Sequence, residues 1–125
     1  MKNLLELRNL HVQIGTMDGG KVFPLQGIDL IVGENEAVGL VGESGSGKSM
    51  TLRAILRMLP RGGQQTEGQI TLNGNRLDDA ASNVFEKVRG RQISMIFQDP
   101  VSALSPLLSI GDQISDVYRY NMGAT

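Results

Sequence analysis

Gly42-Glu43-Ser44-Gly45-Ser46-Gly47-Lys48-Ser49 fills the pattern G-x-x-x-x-G-K-[ST] of a phosphate-binding loop. A triphosphate concentrates several negative charges in a small volume, so its site needs many hydrogen-bond donors close together and little side-chain bulk. Gly45 and Gly47 meet both needs, because glycine adopts backbone angles closed to other residues and lets successive N–H groups turn inward as an anion-binding nest. Lys48 adds a mobile cation for the β- and γ-phosphates, and the Ser49 hydroxyl is placed to hold Mg²⁺. The backbone N–H of Met50 extends the set of phosphate donors, while its side chain packs beside the loop.

Such a loop needs a buried strand before it and a helix after it. Ala37-Val38-Gly39-Leu40-Val41 is a short apolar run without charge, as expected of a strand covered on both faces. Downstream, Leu52, Ile55, Leu56 and Leu59 recur at helical spacing until Pro60 and Gly62-Gly63 stop the helix. The N-terminus of that helix would point its partial positive charge at the phosphates. A glycine-rich turn spelling the motif by accident is the alternative, but four constrained positions recur by chance in about one per cent or fewer of chains this long. The flanking elements weaken that alternative further.

The other elements follow from local patterns. Leu4 to Ile14 alternates loosely and ends at Gly15, Val22 to Val32 is a second strand-like run, and Asp18-Gly19-Gly20 between them predicts an antiparallel hairpin. Gly33-Glu34-Asn35-Glu36 is a tight turn leading to the phosphate loop. After a loop over Arg61 to Gly68, Gln69-Ile70-Thr71-Leu72 reads as a short strand and Asn73-Gly74 as a turn. Asn83 followed by Glu86 resembles a helix start, with Val84, Phe85 and Val88 as its buried face and Gly90 as its end. Ile93-Ser94-Met95-Ile96-Phe97 reads as a second buried strand with Met95 in the core, and it delivers Gln98 to the edge of the sheet where ligands of open α/β folds bind. Gln113 to Tyr118 begin an amphipathic helix.

Composition narrows the chemistry. The 125 residues suffice for one small domain and not two, and the balance of 12 basic and 13 acidic residues gives no nucleic-acid or anionic-membrane surface. Without cysteine and with His11 as the one histidine, disulfides, thiol catalysis and His/Cys zinc sites are excluded from this chain. His11 reads as a strand surface residue, and Glu86-Lys87-Val88-Arg89-Gly90-Arg91 as a solvated helix face. No apolar run approaches the ~18 residues of a membrane span, and the N-terminus lacks the order of a signal peptide.

The antiparallel start, the Asn73-Gly74 turn, and Phe97-Gln98-Asp99-Pro100 about fifty residues after Lys48 together resemble the first half of the ATP-binding subunits of ABC transporters. The loop sequence, Ile93 to Pro100, and then Leu104, Pro106, Gly111 and Gln113 are similar to the oligopeptide/dipeptide importer branch, which also holds nickel and glutathione importers. The resemblance implies an α/β P-loop NTPase with a RecA-like core and an antiparallel β edge at the N-terminus. It implies ATP and Mg²⁺ as cofactors, and a Q-loop role for Gln98 near the Mg²⁺ and the attacking water. Implied partners are membrane-spanning permease subunits, a second ATP-binding subunit that is a copy or a homologue, and, indirectly, a solute-binding protein. The implied place is the cytoplasmic face of the membrane, reached through those partners.

Two departures from that pattern stand out. The early loop position where the family stacks an aromatic ring on adenine holds Ile14, with Phe23 as a candidate substitute. The 125 residues also contain no Leu-Ser-Gly-Gly-Gln-type signature, no apolar strand ending in Asp-Glu and no later switch histidine. The expectation is therefore the N-terminal part of one ABC ATPase domain over residues 1–125, with a helical subdomain starting at about 101–125. Phosphoryl transfer needs a carboxylate to orient water as well as donors for the phosphates, so no significant hydrolysis is expected from these residues alone. A non-catalytic module docking on a membrane subunit and a non-transport ABC-type ATPase of DNA repair or chromosome structure are the alternatives.

Overall fold

The structure, a computed structural model, describes residues 2–43, 45–99 and 101–122. The chain divides into two compact units, Met1–Ala80 and Ala81–Thr125. The first unit carries most of the buried residues; in the second, only Phe85 and Val88 are buried among the described residues.

The predicted hairpin is the frame of the first unit. Strand β1 (Asn3–Gly15) pairs antiparallel with β2 (Lys21–Gly33) and, on its other side, with β3 (Gly63–Leu72). A two-residue strand, β4 (Asn75–Arg76), closes the order β2-β1-β3-β4. Between β1 and β2, Asp18 organises the turn: its carboxylate accepts from the Thr16 hydroxyl and the Gly20 N–H. These two bonds hold the carboxyl below its ordinary value. Asn73 and Gly74 both have positive φ, 50° and 84°, the pairing that a tight two-residue hairpin requires.

The loose alternation in β1 has a structural cause. Leu7 is buried, but so are Leu10 and Val12, so the inward face changes phase in mid-strand. Asn9 sits at the change with φ 50°, and the pairing register shifts there against both neighbours. Gly27 on β2 (φ 86°) and Gly68 on β3 (φ 100°) lie at the same level. A Cβ on Gly68 would come within 2.5 Å of the Asn9 carbonyl oxygen, so only glycine fits that approach. The Asn9 N–H is satisfied by the Asp29 carboxylate at 2.8 Å. This bulge lets Leu7, Leu10 and Val12 reach one core together.

Several expectations are corrected. The loop expected over Arg61 to Gly68 is largely strand, because residues from Gly63 onward pair with β1. Ala37 to Val41 forms no strand, and Val38, Leu40 and Val41 are exposed. Residues 94–97 form no strand either, with only an isolated bridge joining Ile93 to Arg89. A doubly covered strand is stable only with hydrogen-bonded neighbours, and among the described residues neither run has a strand beside it. Met95 is accordingly half-buried.

Helix α1 (Lys48–Ile55) is shorter than its apolar spacing predicts. It stops because Arg57 takes φ 55°, and the guanidinium donates to the carbonyls of Leu77 and Ala80, each at 2.6 Å, and of Asp78 at 3.4 Å. Leu52 is exposed, while Ala54, Ile55 and Leu56 are buried. Beside this staple, the Asp78 carboxylate accepts from the Ile70 N–H at 3.0 Å and from the Arg76 guanidinium at 2.8 and 3.1 Å.

In the second unit, α2 (Ser82–Val88) is capped by the Ala81 carbonyl, which receives the N–H groups of Val84 and Phe85, and not by Asn83. Phe85 and Val88 are buried as expected, Val84 is exposed, and Gly90 follows at φ 83°. The charged run around α2 is solvent-facing, with Arg89 over the Phe85 ring at 5.1 Å. Helix α3 (Ile110–Met122) realises the amphipathic pattern but buries no residue. No helix among the described residues is long and apolar enough to cross a membrane.

The Asp78 cluster has a pH signature. Burial pushes its carboxyl up, but the Arg76 guanidinium and the Ile70 N–H outweigh it and hold it below its ordinary value. Its contribution to stability is therefore full above the unfolded value of about 3.9 and is lost as the pH falls through the lower folded value. Asp78→Asn should cost roughly 1–3 kcal/mol at neutral pH. It should also flatten part of the fall in denaturation midpoint on acidification, measured by denaturant titration at several pH values.

Candidate nucleotide-binding site

The phosphate loop enters α1 through Gly47, its N-cap residue, at φ 99°. Gly45 is also left-handed, at φ 83°. Alternation of this kind turns consecutive N–H groups toward one side. The first N–H groups of a helix have no partner within it, so α1 begins with donors for an anion at Lys48, Ser49 and Met50. The turn before them is braced by the Ser46 N–H, which donates to the Glu43 carbonyl at 3.1 Å.

Lys48 curls back over the loop. Its ammonium donates to the Gly42 carbonyl and, at 3.2 Å, to that of Glu43. This holds the cation at the loop, where a bound phosphate would compete with the carbonyls for it. Ser49 is exposed at the second position of α1, Met50 is half-buried, and Gly42, Glu43, Gly45 and Ser46 are exposed. A Cβ on Gly42 would lie 2.6 Å from the Ser46 hydroxyl oxygen, so a larger residue there would have to displace the Ser46 side chain. Ser44 lies outside the described residues.

The motif therefore brings Gly42, Glu43, Gly45, Ser46, Gly47, Lys48, Ser49 and Met50 into one short segment whose donors fit a polyphosphate. Ser49 supplies the hydroxyl that would hold Mg²⁺ beside it. Gln98, the other expected Mg²⁺ and catalytic residue, is exposed in the second unit. Next to it, Asp99 accepts from the Val101 and Ser102 N–H groups at 3.2 and 3.4 Å. The Ser102 hydroxyl first, then these N–H groups, hold its carboxyl below the ordinary value. Pro100 lies outside the described residues. Of the adenine candidates, Ile14 is half-buried and Phe23 is 53% exposed on β2.

Sequence reasoning passed over Thr51. It is the one buried polar residue among those described, and both its N–H (2.9 Å) and its hydroxyl (2.8 Å) donate to the Gly47 carbonyl. Gln113, singled out only as part of a resemblance, fastens the turn before α3: its amide accepts from the Ser105 N–H and donates to the carbonyls of Ser105 and Leu108. His11 is a strand surface residue as expected, its Nδ1 2.9 Å from the Asn9 carbonyl and 3.3 Å from Glu67.

The profile of the ABC transporter family matches residues 25–124. That match makes the chain part of a P-loop NTPase, the class that the loop and α1 already indicate. The chain belongs to the ABC transporter family, whose members bind ATP, typically with Mg²⁺. It is 42% identical over 116 residues to an oligopeptide transport ATP-binding protein of Mycobacterium bovis, covering 93% of this chain and 19% of that protein. It is 38% identical over 115 residues to an oligopeptide transport ATP-binding protein of Bacillus subtilis, covering 91% and 32%. To a dipeptide transport ATP-binding protein of Lactococcus lactis subsp. cremoris it is 35% identical over 123 residues, covering 98% and 35%. The chain thus spans about a third or less of the length of these relatives.

Gly47→Ala should strain the loop, since alanine disfavours φ 99° and its Cβ would lie 2.9 Å from Leu25 Cδ2. The expected cost is roughly 1–3 kcal/mol, read as a lowered melting temperature.

Proposed function

We propose that this chain is the ATP-binding part of an ABC importer for peptides or related small solutes, coupling nucleotide binding to movement of membrane-spanning permease subunits. The observation that carries the reading is the phosphate loop itself: left-handed Gly45 and Gly47 feed the N-terminus of α1, with Lys48 held at the loop mouth. The relatives' names, all peptide-transport ATP-binding proteins, support the substrate class. In this reading Lys48 neutralises the β- and γ-phosphates, backbone donors from Gly42 to Met50, Ser44 included, surround them, and Ser49 and Gln98 hold Mg²⁺. ATP supplies the phosphoryl group, and the chain's own residues bind and orient it.

A second ATP-binding subunit, identical or homologous, completes the assembly, a solute-binding protein delivers the cargo, and the complex lies at the cytoplasmic face of the membrane. Residues 1–125 then form the N-terminal part of a RecA-like ABC ATPase domain, with the helical subdomain starting at about 101. They hold the phosphate-binding half of the reaction machinery, so these residues by themselves bind ATP without turning it over.

Equilibrium binding of Mg-ATP to the 125-residue chain tests the assignment. Lys48→Ala should weaken binding by about tenfold or more, as expected for losing charge-assisted hydrogen bonds worth about 1.5–3 kcal/mol. Equal affinity of the two proteins would remove the loop from the site. Lys48-dependent ATP turnover by the chain would overturn the binding-only part.

A further inference from the structure

The phosphate loop is held from outside its own motif. On β2, Leu25 pairs with Val12 and Val22 with Ile14, so Phe23 and Pro24 together oppose the single residue Gln13. This is a bulge, and proline suits it because it has no N–H to leave unpaired. The bulge presents two groups to Gly47: the Leu25 side chain, itself 1% exposed, and the Pro24 carbonyl. A Cβ on Gly47 would lie 2.9 Å from the first and 3.2 Å from the second. From the first turn of α1, Thr51 places two hydrogen bonds on the Gly47 carbonyl, at 2.8 and 2.9 Å. The residue after Gly47 is Lys48, so a shift of this glycine would turn both the helix donors and the cation.

We propose that Leu25 and Thr51 are positioning residues of the phosphate loop, clamping Gly47 between β2 and the first turn of α1 so that the nest is formed before an anion arrives. Neither lies within the motif. The inference rests on the reading of the loop as a nucleotide site, and it deepens that reading by naming what fixes the donors. A preformed site spends less of its binding energy on ordering the loop.

Four variants of the 125-residue chain separate positioning from general stability. Thr51→Val keeps the shape and removes the hydroxyl, whereas Thr51→Ser keeps the hydroxyl; Leu25→Ala empties the contact, whereas Leu25→Met nearly fills it. Leu7→Ala, at a buried β1 position paired with Leu30 and Ile70, serves as the stability control. Two readouts are taken well below the melting temperature: hydrogen exchange of the amides of residues 47–51, and Mg-ATP affinity. Thr51→Val and Leu25→Ala should each speed exchange and weaken affinity by about tenfold, the scale of a small misplacement of binding groups. Thr51→Ser and Leu25→Met should stay near the unsubstituted chain, and Leu7→Ala should lower the melting temperature while moving neither readout. The clamp is refuted if Thr51→Val and Leu25→Ala alter loop exchange no more than Leu7→Ala does. Should the unsubstituted chain bind no Mg-ATP, the nucleotide reading fails while the exchange arm still decides the clamp.

Discussion

The change of phase at Asn9 is the constraint on which the first unit depends. A strand side chain flips to the opposite face with each residue, so a run that buries both Leu7 and Leu10 must insert one extra residue between them. Asn9 provides it in a left-handed conformation, and Gly27 and Gly68 let the flanking strands follow. Because the phase is reset there, Val12 points inward, and its cross-strand partner Leu25 is buried with it. Leu25 in turn meets the backbone of the phosphate loop at Gly47. A backbone irregularity in the first strand thereby decides what the loop rests on.

The start of α1 gathers positive charge. Helix α1 has no acidic residue in its first turn and opens with Lys48. A cation at the positive end of a helix is unfavourable by about 0.3–1 kcal/mol. The Gly42 and Glu43 carbonyls offset part of this by accepting from the ammonium. At the other end, the guanidinium of Arg57 follows the last turn and is spent on the carbonyls of Leu77, Asp78 and Ala80. The helix is thus fastened at its negative end, while the positive end carries Lys48 and the phosphate loop.

Local signals were the most legible part of this chain. The hairpin, the Asn73-Gly74 turn and the helix start at Lys48 each depend on a few adjacent residues, and each is found where its residues predict. The runs at 37–41 and 93–97 mislead because an apolar stretch reports a preference for burial and cannot supply the neighbouring strands that burial requires. Residues 63–68 mislead for the opposite reason, since Gln64, Gln65 and Glu67 are polar and join the sheet by backbone pairing with β1. The early end of α1 was hidden because Arg57 adopts a conformation typical of glycine, held there by carbonyls some twenty residues away. Leu25 and Thr51 carry no motif, and their relation to Gly47 emerges only when strand and helix are placed side by side.

The bulge at Phe23-Pro24 also bears on how the chain behaves in company. Among the described residues β2 has a neighbour on one side only, and it carries the exposed apolar residues Val22, Phe23 and Ile31. A flat, unbroken edge of this kind would recruit strands from other molecules into mixed sheets. Pro24 lacks an N–H to offer a further strand, and Gly27 takes φ 86° a few residues later. The thirteen residues of β2 are thereby divided into short lengths, each a poor template. The segment that supports the phosphate loop is also the one that keeps this border of the sheet from growing.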